Sequence, residues 1–310
     1  MTSEKRNGFF VKRAGPLALL QDAGRFGVRQ LGVTQGGPLD LHAWAWANYL
    51  VGNAWGAPAI EITFGGLQLV AEQDLSVAVA GADLSATLED RPLALWRTVN
   101  LRRGERLTFG SPASGLRAYL AVAGGFSAEP VLGSVACVAR EGLGGFDGRG
   151  SRLAEGDSLP VGKTKASRPE PREAPETERP DYRAPACLSL LPGAQIGAFT
   201  GRSLFDAFNS EWQVDDRADR MGVRLTGPRL HCRIESLISE GISLGAIQVP
   251  PDGQPIVLLN DRQTIGGYPR FGNLTPIAAS RLAQCMPGQT VTLRAVAVEH
   301  ALAEHRTFLG

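Results

Sequence analysis

The sequence is poor in the residue types that mark several large classes of protein. Its 310 residues include four cysteines, four histidines and three methionines, and aromatics make up 7%. Cys137, Cys187, Cys232 and Cys285 lie far apart with no Cys-x-x-Cys pair, which argues against a disulfide scaffold. His42, His231, His300 and His305 form no His-x-x-x-His or His-Glu-x-x-His pattern, so the clustered ligands of a tetrahedral zinc site are missing and no metal is expected. Net charge is nearly absent at +1, and no basic block suggests nucleic acid or an anionic membrane surface as a partner. No stretch approaches the roughly 20 apolar residues of a spanning helix. The charged start at Glu4, Lys5 and Arg6 is not followed by an apolar run of signal-peptide length. These absences together give the expectation of a reduced, cytoplasmic protein. None of Met1, Met221 and Met286 is followed by lysine, so no covalently attached biotin is expected.

Turn formers are plentiful: 38 glycines and 20 prolines favour short strands over long helices. Val77 and Val79 alternate with small residues before Gly81. Leu107 and Phe109 alternate with polar neighbours after Gly104, and Val291 and Leu293 do so after Gly288. Such period-two patterns bounded by glycine predict strands. A few helices interrupt them. One is predicted over Pro38–Leu50 with Leu39, Ala43, Trp46 and Leu50 on one face. A second starts near Ser203 with Phe205, Phe208 and Trp212 at helical spacing. A third begins at the Thr275-Pro276 cap and carries Ala278, Leu282 and Cys285.

From Lys163 to Ala186 the chain is rich in Pro, Arg and Glu and has no Val, Ile, Leu or Phe. A segment with so little to bury reads as a linker or long surface loop, held partly extended by Pro169, Pro171 and Pro175. The expected organisation is therefore a β domain over 1–162, a linker over 163–186 and a second β domain over 187–310. A faint echo links the halves: Gly81-Ala82 and Gly245-Ala246 are each followed by a turn and a further strand.

Two motifs suggest enzymes and fail on context. Gly241-Ile242-Ser243-Leu244-Gly245 has the spacing of a nucleophile elbow, which needs a helix after it. Pro250 and Pro251 follow instead. Gly156 to Thr164 resembles a phosphate-binding loop with one residue too many and runs into the linker.

Three segments carry more charge and glycine than folding requires. The first runs from Gly15 through Gln21-Asp22-Ala23-Gly24-Arg25 to Pro38-Leu39-Asp40. The second is Asp219-Arg220-Met221-Gly222. The third runs from Ser239-Glu240-Gly241 through Gln248, Asp252-Gly253-Gln254 and Asp261-Arg262-Gln263-Thr264 to Gly266-Gly267-Tyr268-Pro269. In the third, Ile256-Val257-Leu258-Leu259 predicts a buried strand, with the Asp261 group at its far end, where ligands commonly bind a barrel. Arg262 next to Asp261 offers a guanidinium fork suited to carboxylate or phosphate.

These segments, with Leu50-Val51-Gly52-Asn53, Glu61-Ile62-Thr63, Gly81-Ala82-Asp83-Leu84 and Ala118 to Gly125, resemble the biotin-dependent carboxyltransferase family. That family includes the C-type subunit of bacterial 5-oxoprolinase, proteins once described as allophanate hydrolase subunit 2, and a carboxyltransferase segment of urea carboxylase. The resemblance runs from about residue 10 to about residue 300 of the sequence. It implies a mainly β fold of two cyclophilin-like β-barrel domains with a few short helices. It also implies a hydrolase complex with a B-type and an A-type subunit that opens the cyclic amide 5-oxoproline to glutamate using ATP. The rival expectations are a carboxyltransferase acting on an amide such as urea, with biotin on a partner carrier, and a non-enzymatic regulator of a kinase inhibitor.

On this resemblance the expected catalytic residues are Asp261, Glu240, Arg262 and Gln263, with Asp261 and Glu240 as proton-transfer groups. Asp22, Arg25, Asp40, Glu61, Asp219, Arg220, Gln248, Asp252, Gln254, Thr264, Tyr268 and Arg270 are expected at the substrate. The chain departs from the family pattern at Ile265, where threonine is usual, and at Arg270, where lysine is usual. Arginine is a poor proton shuttle.

Overall fold

The structure is a computed structural model that describes residues 7–162, 170–234 and 236–309. It divides into two compact units. The first comprises 1–26, 36–38 and 42–181; the second comprises 27–35, 39–41 and 182–310.

In the first unit two antiparallel sheets enclose one core. One sheet has six strands in the order Ser158–Pro160, Gly8–Ala14, Leu67–Ala71, Arg106–Thr108, Thr87–Leu88 and Arg91–Pro92. The other has five: Leu17–Gln21, Ala59–Thr63, Ser114–Val122, Leu75–Asp83 and Thr98–Leu101. The alternation at Val77 and Val79 falls in Leu75–Asp83, and Leu107 lies in Arg106–Thr108, as the sequence predicts. Phe9, Val11, Leu20, Ile60, Ile62, Leu69, Val79, Phe109 and Leu120 fill the space between the sheets. Hydrophobic burial of this kind contributes about 1.5–3 kcal/mol for each large apolar side chain.

The second unit is a closed barrel of seven strands. Around the ring these are Ala186–Pro192, Arg270–Leu274, Ala246–Gln248, Ile256–Leu258, Gly222–Thr226, Trp212–Val214 and Thr290–Ala295. Closure removes unpaired edges. A separate two-stranded ribbon joins Glu240–Gly241 to Ile265–Gly266. The buried strand foreseen after the Asp252-Gly253 turn is present at Ile256–Leu258. Gly253 sits there at φ +76°, with its N–H donating to Pro250 O at 2.9 Å.

Four helices occur among the described residues: α1 (Leu41–Leu50), α2 (Gly201–Asn209), α3 (Pro276–Ala283) and α4 (Val298–Leu309). The third follows its predicted signals, with Thr275 Oγ1 accepting Ala278 N–H at 3.2 Å and proline in the first turn. The first starts at Leu41 and not at Pro38, because Asp40 is buried with its carboxylate held by other side chains. Its buried face is Ala43, Trp44, Ala47 and Leu50, so Trp44 replaces the expected Trp46. In α2 the expected aromatic stripe dissolves: Phe205 is 63% exposed, and Trp212 belongs to the next strand. The C-terminal helix α4 was not foreseen.

The stretch expected as a linker lies outside the described residues over 163–169. The rest of it is packed. Ala174 is buried with its N–H on Trp96 O at 2.9 Å, Thr98 N–H donates to Arg172 O at 2.8 Å, and Ala186 begins a barrel strand. The absence of large aliphatics does not leave a segment loose when its backbone can hydrogen-bond along a strand edge. Of the phosphate-loop look-alike, Ser158–Pro160 is a strand and 163–164 lie outside the described residues. Gly241–Gly245 is followed by the strand Ala246–Gln248, with no helix, and Ser243 Oγ bonds Asn273 Oδ1 at 2.5 Å.

Candidate functional site

In the first unit the expected polar residues are drawn into the fold. Asp22 Oδ1 accepts the N–H of Gly24 at 2.9 Å and the hydroxyl of Ser134 at 2.6 Å, while Oδ2 accepts Val135 N–H at 2.8 Å. Arg25 is fully buried; its Nε donates to Val131 O at 3.0 Å and its Nη2 to Ser134 O at 3.3 Å. Together the two side chains pin the 131–135 segment. Glu61 is buried, with Oε2 accepting the Tyr119 hydroxyl at 2.7 Å across adjacent strands.

Asp40 folds with the second unit. Its Oδ2 accepts the Tyr182 hydroxyl at 3.0 Å and Gln284 Nε2 at 2.7 Å. Burial, and then the neighbouring Asp40 carboxylate, push the Tyr182 phenol well above its ordinary pKa, so it stays a neutral donor. Asp219 Oδ1 accepts Met221 and Gly222 N–H at 2.8 and 3.1 Å, an Asx-type turn. Asp252 pairs with Arg224, and Gln254 clamps the backbone of Gly227 through both its amide atoms. These four residues close turns and join elements.

Asp261 and Arg220 form a buried bidentate pair, Nε to Oδ2 at 2.9 Å and Nη2 to Oδ1 at 3.0 Å. A carboxylate held by both oxygens in a guanidinium fork is a poor proton-transfer group and a good positioning element. Glu240, the other expected proton-transfer residue, is a surface carboxylate bound to Arg270, whose Nη1 also donates to Gly241 O at 3.1 Å. Arg270 thus braces the ribbon. Gln263 and Thr264 are half-buried, and Thr264 O accepts Ile242 N–H at 3.0 Å.

What remains is a knot of donors at the ribbon. Arg262 is buried; its Nε donates to Ile242 O at 3.2 Å and its Nη1 to Leu259 O at 3.1 Å. Arg29, half-buried in a turn that folds with this unit, brings Nη2 to the same Ile242 O at 2.6 Å and to Thr264 O at 3.3 Å. The Nη1 of Arg29 is buried and has no hydrogen-bond partner among the described residues, and the same holds for Nε2 of Gln248. Gln248 is 3% exposed. A Cβ on Gly266 would stand 2.8 Å from Gln248 Nε2 and 2.5 Å from Ile242 Cδ1, so glycine is required for the amide to lie over the ribbon. Burial first, then the positive charge of Arg29, push the pKa of Arg262 down to about 9, while Asp261 pulls it back up. Burial also lowers that of Arg29. Ile265 and Tyr268, at 58% and 44% exposure, flank this knot in the sequence.

Gln248 and Arg262 of this knot are among the residues expected from the sequence; Arg29, which lies in a short 3-10 turn, Arg29–Leu31, with no motif around it, is not. Its only signal is a charged residue between Gly27 and Gly32, two glycines that both take positive φ. A cavity of about 310 Å³ elsewhere in the second unit is lined by Arg183, Arg281, Cys285, Gln289 and Thr290 among others, and by none of the expected residues.

With this architecture and donor knot in place, the chain belongs to the carboxyltransferase domain family (subdomains A and B), whose profile it matches over residues 31–295. Within that family it is 40% identical to the C-type 5-oxoprolinase subunit of Escherichia coli, over 94% of this chain and 92% of that one. The C-type 5-oxoprolinase subunit of Haemophilus influenzae is 37% identical, over 92% and 90% of the two chains. Among solved structures, the urea carboxylase of Kluyveromyces lactis superimposes with a TM-score of 0.92 at 28% identity and covers 99% of this chain. The present chain spans 29% of that much longer protein. No helix among the described residues is long and apolar enough to cross a membrane.

Proposed function

We propose that this chain is the C-type subunit of an ATP-dependent 5-oxoprolinase, a complex that opens a cyclic amide to an amino acid. The observation that carries this reading is the near end-to-end match to the Escherichia coli protein, with 92% of that chain aligned. A domain borrowed into another architecture would match only a part, as it does in the urea carboxylase.

The chemistry sets the requirements. A lactam resists water because its nitrogen lone pair is delocalised into the carbonyl, so ring opening needs an activated carbonyl and a firmly oriented substrate. ATP hydrolysis by the complex would supply the driving force. B-type and A-type subunits would complete the complex. In this chain, Arg262 and Arg29 orient an anionic substrate, and the Arg220–Asp261 pair holds Arg262 in place from the adjoining residue.

The test is ATP-dependent glutamate release from 5-oxoproline by this chain co-purified with its genomic neighbours. Activity that vanishes when this chain is omitted supports the reading. An intact complex that turns over only with a biotin carrier and bicarbonate would favour the second reading, an amide carboxyltransferase. That alternative is motivated by the structural likeness to urea carboxylase.

A further inference from the structure

The donor knot of the second unit contains hydrogen-bonding capacity that the fold does not use. A native interior leaves few buried polar atoms unsatisfied, and each one calls for an explanation such as a water, an ion or a bound partner. Here two such atoms, Arg29 Nη1 and Gln248 Nε2, belong to side chains that converge on the same backbone: Ile242 and residues 264–266. Arg262 meets Arg29 on one carbonyl oxygen, with its Nε and Nη1 committed to the backbone.

Two like-charged guanidiniums sharing one carbonyl repel each other, and one carbonyl cannot neutralise them. Asp261 is the carboxylate that acts on Arg262, and it is itself held by both oxygens on Arg220. Among the described residues neither Arg29 nor Arg262 forms an ion pair with a carboxylate, since Asp261 is spent on Arg220. The Glu240–Arg270 pair cancels internally. The open groups are N–H donors, so the fitting partner is an acceptor, and beside two guanidiniums an anion is favoured. A guanidinium edge and a primary amide together match the planar, two-oxygen edge of a carboxylate.

We infer that Arg29, Arg262 and Gln248 form a binding site for the carboxylate of a small substrate, with Gly266 kept bare so that the Gln248 amide can reach it. This rests on the proposed reading only for which carboxylate is bound: in 5-oxoproline it is the sole charged group. Gln248 and Arg29 are then specificity-determining residues of the second unit.

The experiment compares binding of 5-oxoproline with binding of its neutral primary amide by calorimetry, using the chain with its partner subunits, and follows KM in the turnover assay. Inorganic phosphate is run as a competing anion. Wild type should prefer the acid by about tenfold or more, the size expected for charge-assisted hydrogen bonds. Gln248→Leu and Arg29→Gln should lose that preference, with affinity for the amide unchanged and KM raised more than kcat falls. Gln248→Met fills nearly the same volume and guards against a folding defect. Arg29→Lys should restore part of the preference by restoring the charge. An acid preference that persists in Gln248→Leu, Gln248→Met and Arg29→Gln overturns the inference, even if the complex hydrolyses 5-oxoproline normally. Phosphate affinity that falls in these variants while acid affinity holds also overturns it. A complex that binds the acid through these residues but never hydrolyses it sinks the proposed function and leaves the inference standing.

Discussion

In the first unit, Asp22 receives three donors and the buried Glu61 receives the Tyr119 hydroxyl, whereas in the second unit Arg29 Nη1 and Gln248 Nε2 are buried without a hydrogen-bond partner among the described residues. Both regions are dense in charge and glycine, and by composition they look equally functional. The difference lies at particular side chains: the Asp22 and Glu61 carboxylates are held by donors of the fold, whereas the Arg29 and Gln248 donors named above are not. Asp22 and Arg25 pin a loop, so removing either weakens the unit. The donor knot contributes little to stability as it stands, because a desolvated donor without an acceptor is a cost. That asymmetry gives the two regions opposite mutational signatures.

The largest effect should come from the buried Arg220–Asp261 pair beside the knot. Asp261→Ala removes the carboxylate that accepts both hydrogen bonds from the buried Arg220 guanidinium, and breaking such a pair costs about 3–5 kcal/mol. A urea titration should show the midpoint fall steeply, together with carboxylate binding as Arg262 loses its neighbour's support. A near-neutral result would mean that water replaces the carboxylate and that the knot is open.

In the first unit, Asp22→Ala removes three hydrogen bonds at once and should cost about 2–3 kcal/mol. The same variant should keep the acid-over-amide preference of the complex. Loss of that preference without loss of stability would erase the contrast between the units.

Acidity sharpens the comparison from another side. Because burial and Arg29 lower the pKa of Arg262 to about 9, its cation is present at neutral pH and fades above that value. Carboxylate affinity should therefore be flat from neutral pH to about 8 and fall severalfold by about pH 10. The groups facing Arg262 set the sign: Arg29 disfavours its charge, while Asp261 favours it. In the free protein the cationic form is destabilising, so Arg262 contributes more stability as pH rises above about 9. A bound anion should cancel that gain by raising the pKa. Affinity that climbs above pH 9 would contradict this assignment.

The smallest stability effect should belong to Gln248→Leu. Replacing an unsatisfied buried amide with an apolar side chain is expected to leave the urea midpoint unchanged or raise stability by up to about 1 kcal/mol, even as ligand discrimination is lost. A loss comparable to that of Asp22→Ala would show that Gln248 is structural.

The sequence carried much of the fold and less of the site, for physical reasons visible at particular residues. Strands are local: Val77, Leu107 and Val291 alternate with their neighbours, and each lies in a strand. So is the Thr275-Pro276 cap, whose hydroxyl bonds an N–H three residues on. Gly81 and Gly245, noticed as an echo, both take positive φ with a neighbouring strand's carbonyl where a Cβ would go, Arg117 O at 2.5 Å and Leu274 O at 2.9 Å. Other features depend on tertiary contacts. The Ala174 segment lacks large aliphatics and is nonetheless buried through its backbone bond to Trp96. Asp261 and Glu240 read as proton carriers until Arg220 and Arg270 are seen beside them. Arg29 was invisible because it reaches its carbonyl partners at Ile242 and Thr264 from 213 and 235 residues away in the chain. Nothing in the sequence says which donors the fold will satisfy, and that bookkeeping is what separates the two regions.

The most direct test is the ratio of affinities for 5-oxoproline and its primary amide, measured side by side for wild type, Asp22→Ala and Gln248→Leu in the assembled complex. The account expects the ratio to stay high in wild type and Asp22→Ala and to drop toward one in Gln248→Leu, although Asp22→Ala is the less stable of the two variants. A ratio preserved in Gln248→Leu and lost in Asp22→Ala would contradict it.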